Sequence, residues 1–185
     1  MFKPAKSMYK SFFLSALVCA TITFSSCKHK EEVTEAELAP GMIRMSLGSV
    51  GMNVTIDIPD TEKKAHIIET LPSGDIHVSV EKGFNILINV SGMDMNRKKK
   101  DITGNDVDKF QNWIVQDSGA ILYKTQMVND EFHFYAIVKK GDKTYYVQEQ
   151  TQGSDGNVTN YTQDQAQMML NSAKTITPAA SPAKS

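Results

Sequence analysis

Cysteine is nearly absent. The 185 residues hold two, Cys19 and Cys27, and a single tryptophan. So few cysteines exclude a disulfide scaffold, and their spacing fits neither a zinc ribbon nor a Cys-x-x-Cys redox centre. No excess of positive charge is present either: 20 basic residues stand against 21 acidic ones, and three of the basic ones precede Cys27. A chain starting at Cys27 therefore carries a formal charge of −4, the opposite of the footprint expected of a nucleic-acid binder. Familiar catalytic spacings are missing as well. There is no Gly-x-Ser-x-Gly elbow to strain a serine out of a turn, no His-Glu-x-x-His pair for zinc, and no Gly-x-x-x-x-Gly-Lys loop to cradle phosphate. Asp101, Asn105, Asp106 and Asp108 cluster, but the glycine and the distal glutamate of a calcium loop are not at their required spacing, so these residues read as helix-capping and first-turn acids. No cofactor is expected.

What is present begins at the N-terminus. Lys3, Lys6 and Lys10 are followed by SFFLSALVCATITF, residues 11–24, without a charge. This stretch is shorter than the ~20 apolar residues that span a bilayer, and with small Ser25 and Ser26 after it the segment has the form of a secretory signal peptide, residues 1–26. Phe24-Ser25-Ser26-Cys27 resembles the lipobox of bacterial lipoproteins, although Phe24 stands where leucine is usual. The resemblance implies cleavage before Cys27 and acylation of its thiol and amino group. Each buried methylene contributes about 0.8 kcal/mol, so several chains anchor stably where one holds marginally. The expected partner of Cys27 is thus a membrane. Cys19 lies in the discarded segment, which leaves Cys27 without a thiol partner. Lys30-Glu31-Glu32 is similar to the export signal of Bacteroidota surface lipoproteins; it favours the outer face of the outer membrane over the periplasmic side, and on three residues both orientations stay open. Residues 27–45, ending near Pro40-Gly41, read as a lipidated tether.

Residues 46–176 read as one globular domain, large enough to bury a core without metal or disulfides, and residues 177–185 as a disordered tail. Val54, Ile56 and Ile58 alternate with polar neighbours, as do Ile76, Val78 and Val80, then Ile86, Ile88 and Val90. This is the period of half-buried strands, and the short turns between them make antiparallel neighbours. Residues 67–71 add another strand. Val107, Phe110 and Ile114 fall at helical steps, which predicts a mid-chain helix capped by Thr103 or Asn105 and ended by Gly119, with Trp113 as a core anchor. Residues 120–128, 132–140 and 144–152 resume as strands. Thr162 with Gln165 makes a capping box for a last helix whose apolar stripe is Ala166, Met169, Leu170 and Ala173. The fold class is α+β, a curved antiparallel sheet with a mid-chain and a C-terminal helix packed on it.

That order, with the meander DEFHFYAIVKKGDKTYYV and the helix YTQDQAQMML, resembles the PsbP-like or DcrB-like domain, an α/β sandwich. The resemblance implies a mostly non-enzymatic binder and places no functional residue, because a shared fold is only analogy for function. Two sets of residues are candidates for contact. Arg97-Lys98-Lys99-Lys100 is a cationic run able to hold phosphate, anionic lipid or an acidic partner, and otherwise a solvated loop. His77 and His133 both occupy the polar phase of their strands; were those strands neighbours, a two-histidine metal site or an acid/base centre with Glu81 or Glu131 would follow. Two histidines fall short of the three protein ligands zinc takes. The expectation is a lipid-anchored, non-catalytic binding or accessory protein whose partner is a protein or a small molecule and not nucleic acid. The alternatives are a small enzyme built on His77 and His133, and an immunity or client-shielding protein against a secreted toxin.

Overall fold

Alternating residues become strands and the capped stretches become helices in the computed structural model, which describes residues 37–81, 83–152 and 158–179. In chain order these are β1 (Met42–Ser46), a 3-10 turn (Gly48–Val50), β2 (Val54–Pro59), β3 (His66–Thr70), β4 (Ile76–Val80), β5 (Phe84–Asn89), α1 (Met95–Thr103), β6 (Lys109–Gln116), β7 (Ala120–Gln126), β8 (Asp130–Lys140), β9 (Lys143–Glu149), α2 (Gln163–Lys174) and β10 (Thr177–Pro178). Seven strands form an antiparallel sheet in the order β3-β4-β5-β9-β8-β7-β6, and β1-β2-β10 form a second. The first sheet is two meanders joined where β5 pairs with β9. Between them α1 carries the chain from the middle of the sheet to its far edge at β6.

The two faces of the large sheet follow from the strand period. Val78, Phe84, Ile86, Ile88, Leu122, Phe134, Ala136 and Val147 are fully buried on one face, in a core shared with Val54, Ile56 and Ile58 of β2 and with Ala166, Met169, Leu170 and Ala173 of α2. The second helix thus buries the stripe that its sequence spacing predicts, and its capping box forms as expected: the Thr162 hydroxyl accepts from Gln165 N–H while the Gln165 side chain accepts from Thr162 N–H. On the opposite face Met95 and Ile102 of α1 cover Ile121, Tyr123 and Tyr135, flanked by Phe110, Trp113, Ile137 and Tyr146. The result is an α+β sandwich with one helix on each face.

The mid-chain helix lies earlier than the sequence spacing predicts. It spans Met95–Thr103, and the stretch expected to be helical is β6. The Asp94 carboxylate caps α1 by accepting from Asn96 N–H at 3.0 Å and Arg97 N–H at 3.1 Å. Asn105 instead folds back on Val107 N–H and Asp108 N–H, at 2.9 and 3.2 Å, a local turn that delivers the chain into a strand. Register shifts between Phe110 and Asn112 and between Trp113 and Val115 interrupt the pairing of β6 with β7. Such a bulge inserts a residue into a period of two, so Phe110 and Trp113 share the α1 side three residues apart, whereas Ile114 packs against the other core and Val107 is exposed. Trp113 is half-buried on this strand, 4.5 Å from the Phe110 ring and 5.7 Å from Tyr123 between centroids.

The domain boundaries also move outward. β1 begins at Met42, inside the stretch read as tether, because its residues pair with β2 and Arg44 forms a two-pronged ion pair with buried Asp57, at 2.8 and 3.2 Å. Thr177 and Pro178, read as tail, pair with β2, with the Thr177 hydroxyl 3.0 Å from that of Thr55. The signal segment 1–26, Cys27 and Lys30-Glu31-Glu32 lie outside the described residues.

Candidate functional site

Directly opposed residues in antiparallel strands share a face, so the register lays out the surface that α1 partly covers. One row across it runs His77, Leu87, Gln148, Tyr135 and Ile121; beside it runs Asn89, Tyr146 and Ile137; on the other flank are His133, Tyr123 and Trp113. His77 and His133 do face the same side, as their phase predicts. Their strands are not neighbours. β5 and β9 intervene, and three strand spacings amount to about 14 Å, so no two-histidine centre forms. Among the described residues no three metal-ligating side chains come together to hold an ion.

Each histidine is occupied by its own neighbours. His77 Nδ1 lies 3.0 Å from Glu69 Oε1 on β3, and its Nε2 meets Asn85 Oδ1 on β5. His133 Nδ1 lies 2.9 Å from Glu149 Oε1, and its Nε2 is 3.0 Å from the Thr125 hydroxyl and 3.8 Å from Glu131 Oε2. The sequence reading anticipates Glu131 and misses Glu149, which sits on β9 just beyond the last paired residues of β8 and β9. There its other oxygen takes the Phe134 N–H at 2.8 Å, filling the place where a ladder carbonyl would have been. Burial pulls the His133 pKa down, but the hydrogen bond and charge of Glu149, with Glu131 and Asp108 behind them, outweigh it and hold the pKa above its ordinary value. Burial, together with the Glu149 and Asp108 charges, pushes the neighbouring Tyr123 hydroxyl well above its usual range. Glu149, His133 and Thr125 satisfy one another as a polar plug at the end of a strand ladder, with the Tyr123 ring 5.2 Å from that of His133 between centroids.

The cationic run divides on becoming helical. Successive residues of an α-helix point about 100° apart, so four consecutive cations cannot share one patch. Arg97 and Lys100 are exposed, Lys98 and Lys99 half-buried, and Lys100 lies in the last turn, where a cation complements the helix dipole. Lys98 reaches the sheet face. Its ammonium donates to Gln148 Oε1 at 3.2 Å and lies 4.8 Å from the centroid of the Tyr135 ring.

Lys98 lines a cleft of about 190 Å³ between the start of α1 and strands β5, β9 and β8, together with Leu87, Asn89, Met93, Tyr135 and Tyr146. Tyr135 donates its hydroxyl to the Met93 carbonyl at 2.7 Å, which ties the segment before α1 to the sheet; burial pushes this hydroxyl up to about 12, so it stays protonated. Gly92 forms the lip. A Cβ there would lie 2.6 Å from Tyr146 Cδ1 and 2.8 Å from Tyr146 Cβ, so only glycine lets the backbone rest against that side chain. The sequence singles out Lys98 as one of four cations; Asn89, Tyr135, Tyr146 and Gln148 carry no motif and come together only through strand order. No family model, curated protein or solved structure matches the chain.

Proposed function

We propose that this chain is a lipid-anchored outer-membrane lipoprotein that acts as a non-catalytic binding or accessory protein, with the α1-side face of its large sheet as the contact surface. The anchoring half of the reading rests on the signal-like segment, on the lipobox-like FSSC ending at Cys27, and on the absence of any other cysteine from the chain that would remain. Lys30-Glu31-Glu32 favours the cell surface over the periplasmic face. The binding half is carried by one observation: the cleft beside Lys98 is lined by rings, amides and a cation, whereas both ring nitrogens of His77 and of His133 are already engaged elsewhere. A general base needs a nitrogen free to meet substrate, and a binding surface needs a concavity with a few polar groups. In this reading the domain is PsbP-like, on the order meander, helix, meander and C-terminal helix.

The test is protease shaving of intact cells followed by affinity recovery of the lipidated protein from unshaved cells. Loss of the protein on shaving, with a recurring partner whose recovery falls when the cleft residues Lys98 and Tyr146 are substituted, is the expected outcome. Protection from protease in cells with an intact envelope contradicts the surface position, and a partner retained when both residues are substituted contradicts the assigned face.

A further inference from the structure

Lys98 is a half-buried cation whose protein partners are uncharged. Its ammonium is held by the Gln148 carbonyl oxygen and the Tyr135 ring, and among the described residues it forms no ion pair. A cation drawn partly out of water without a counter-charge keeps an unmet demand for one. The amides around it add to that demand. Gln148 uses its oxygen on Lys98, and Asn89 uses its oxygen on the N–H and the hydroxyl of Ser91, at 2.7 and 3.1 Å. Each amide is therefore left with its NH2 group, a donor, without a protein acceptor among the described residues. The Tyr135 hydroxyl is committed to Met93, so that ring offers its face. The cleft thus presents a cation and two amide donors beside the apolar surfaces of Leu87, Met93 and two tyrosine rings. One carboxylate, Asp75, also lines it and accepts from the Ser73 hydroxyl at 2.9 Å. It is not within ion-pair reach of Lys98, and it disfavours a second negative charge on whatever enters.

We propose that this cleft binds a small organic monocarboxylate, with the carboxylate against Lys98, Gln148 and Asn89 and an aromatic or short aliphatic body lying against the adjoining Tyr135 and Tyr146 rings, whose centroids are 6.4 Å apart. The cleft is smaller than the roughly 300–1,000 Å³ of sites for drug-sized ligands, which limits the occupant to something near the size of a substituted benzoate. The single charge follows from Asp75, and the carboxylate is chosen over phosphate because apolar surface borders the donors where a phosphate's remaining oxygens would need further partners. The inference rests on the reading of the α1-side face as a binding surface and adds the chemistry of its occupant.

Calorimetric titration of the purified full-length chain tests it, with p-hydroxybenzoate, the uncharged p-hydroxybenzyl alcohol and inorganic phosphate as probes. Saturable binding of the benzoate, at least about tenfold tighter than either other probe, is expected, since losing one charge-assisted contact removes about 1.5–3 kcal/mol. Lys98→Met weakens benzoate binding at least tenfold, while Lys100→Met, on the exposed side of α1, leaves it unchanged; equal thermal unfolding of the two variants excludes a folding defect. Lack of saturable benzoate binding, equal binding of the alcohol or phosphate, or indifference to Lys98→Met overturns the proposal. A cellular partner still captured by the Lys98→Met protein, and lost only when Tyr146 is substituted, ends this inference and leaves the binding-surface reading standing.

Discussion

Replacing Glu149 with alanine tests the polar plug where β8 and β9 part. The carboxylate takes His133 Nδ1 at 2.9 Å and the Phe134 N–H at 2.8 Å, and the two side chains are only 9% and 13% exposed. Removal strands a buried backbone donor, at about 1–3 kcal/mol, and leaves His133 without its nearest carboxylate. Breaking a largely buried pair costs about 3–5 kcal/mol, so Glu149→Ala should lose about that much from a domain whose whole stability is of the order of 5–15 kcal/mol. Glu149→Gln keeps one oxygen acceptor and loses the charge, and should cost about 1–3 kcal/mol. The pH dependence separates charge from shape. His133 has a raised folded-state pKa, so its contribution is fully present below the unfolded value of about 6.5 and is lost as pH rises through the folded one. Urea unfolding of the native protein at about pH 5.5 and about pH 8.5 should therefore show a loss at the higher pH that Glu149→Gln reduces. A Glu149→Ala protein within about 1 kcal/mol of the native one, or an unchanged pH slope in Glu149→Gln, would refute the reasoning.

Three further substitutions probe separate parts of the structure. Gly92→Ala pushes a methyl into Tyr146; overpacking of this kind costs about 1–3 kcal/mol, so the melting temperature should drop. Ser172 is buried on α2, and among the described residues its hydroxyl finds no partner. Ser172→Ala should therefore raise stability by about 1 kcal/mol, from the lost desolvation penalty and the better helix propensity together, as read by denaturant midpoint. Thr162→Ala removes the capping box of α2 and should cost about 1 kcal/mol, visible in the same assay and partly recovered by Thr162→Ser.

How much of this was legible in the sequence depends on how local each signal is. The alternation in β4 and β5 and the Thr162–Gln165 box are set by residues within a few positions of one another, and they appear where the sequence places them. The segment 103–119 misleads because Phe110 and Ile114, four residues apart, sit on opposite faces of a bulged strand instead of on one helical stripe, and because Asn105 caps a turn with the same chemistry that caps a helix. Asp94 carries the true capping signal, hidden behind a run of cations with little apolar periodicity. β1 and Thr177–Pro178 were unreadable since each is a strand only by virtue of β2. The site is less legible still. His133 was visible by phase, but Glu149 lies on another strand, at the point where the ladder ends, and nothing in sequence marks that point. The Lys98 cleft draws on β5, β8, β9 and α1, so its residues share no spacing at all.

Lipid attachment at Cys27 is the central claim that one measurement reaches most directly. Full-length protein and its Cys27→Ala counterpart are expressed in a host that processes bacterial lipoproteins, and membrane and soluble fractions are compared after a high-salt wash. The account predicts that the native protein stays with the membrane, with a mass increment matching a diacylglycerol and an acyl chain on residue 27, and that Cys27→Ala leaves the membrane fraction. Retention of Cys27→Ala in the washed membrane, or a native protein without the added mass, would contradict it.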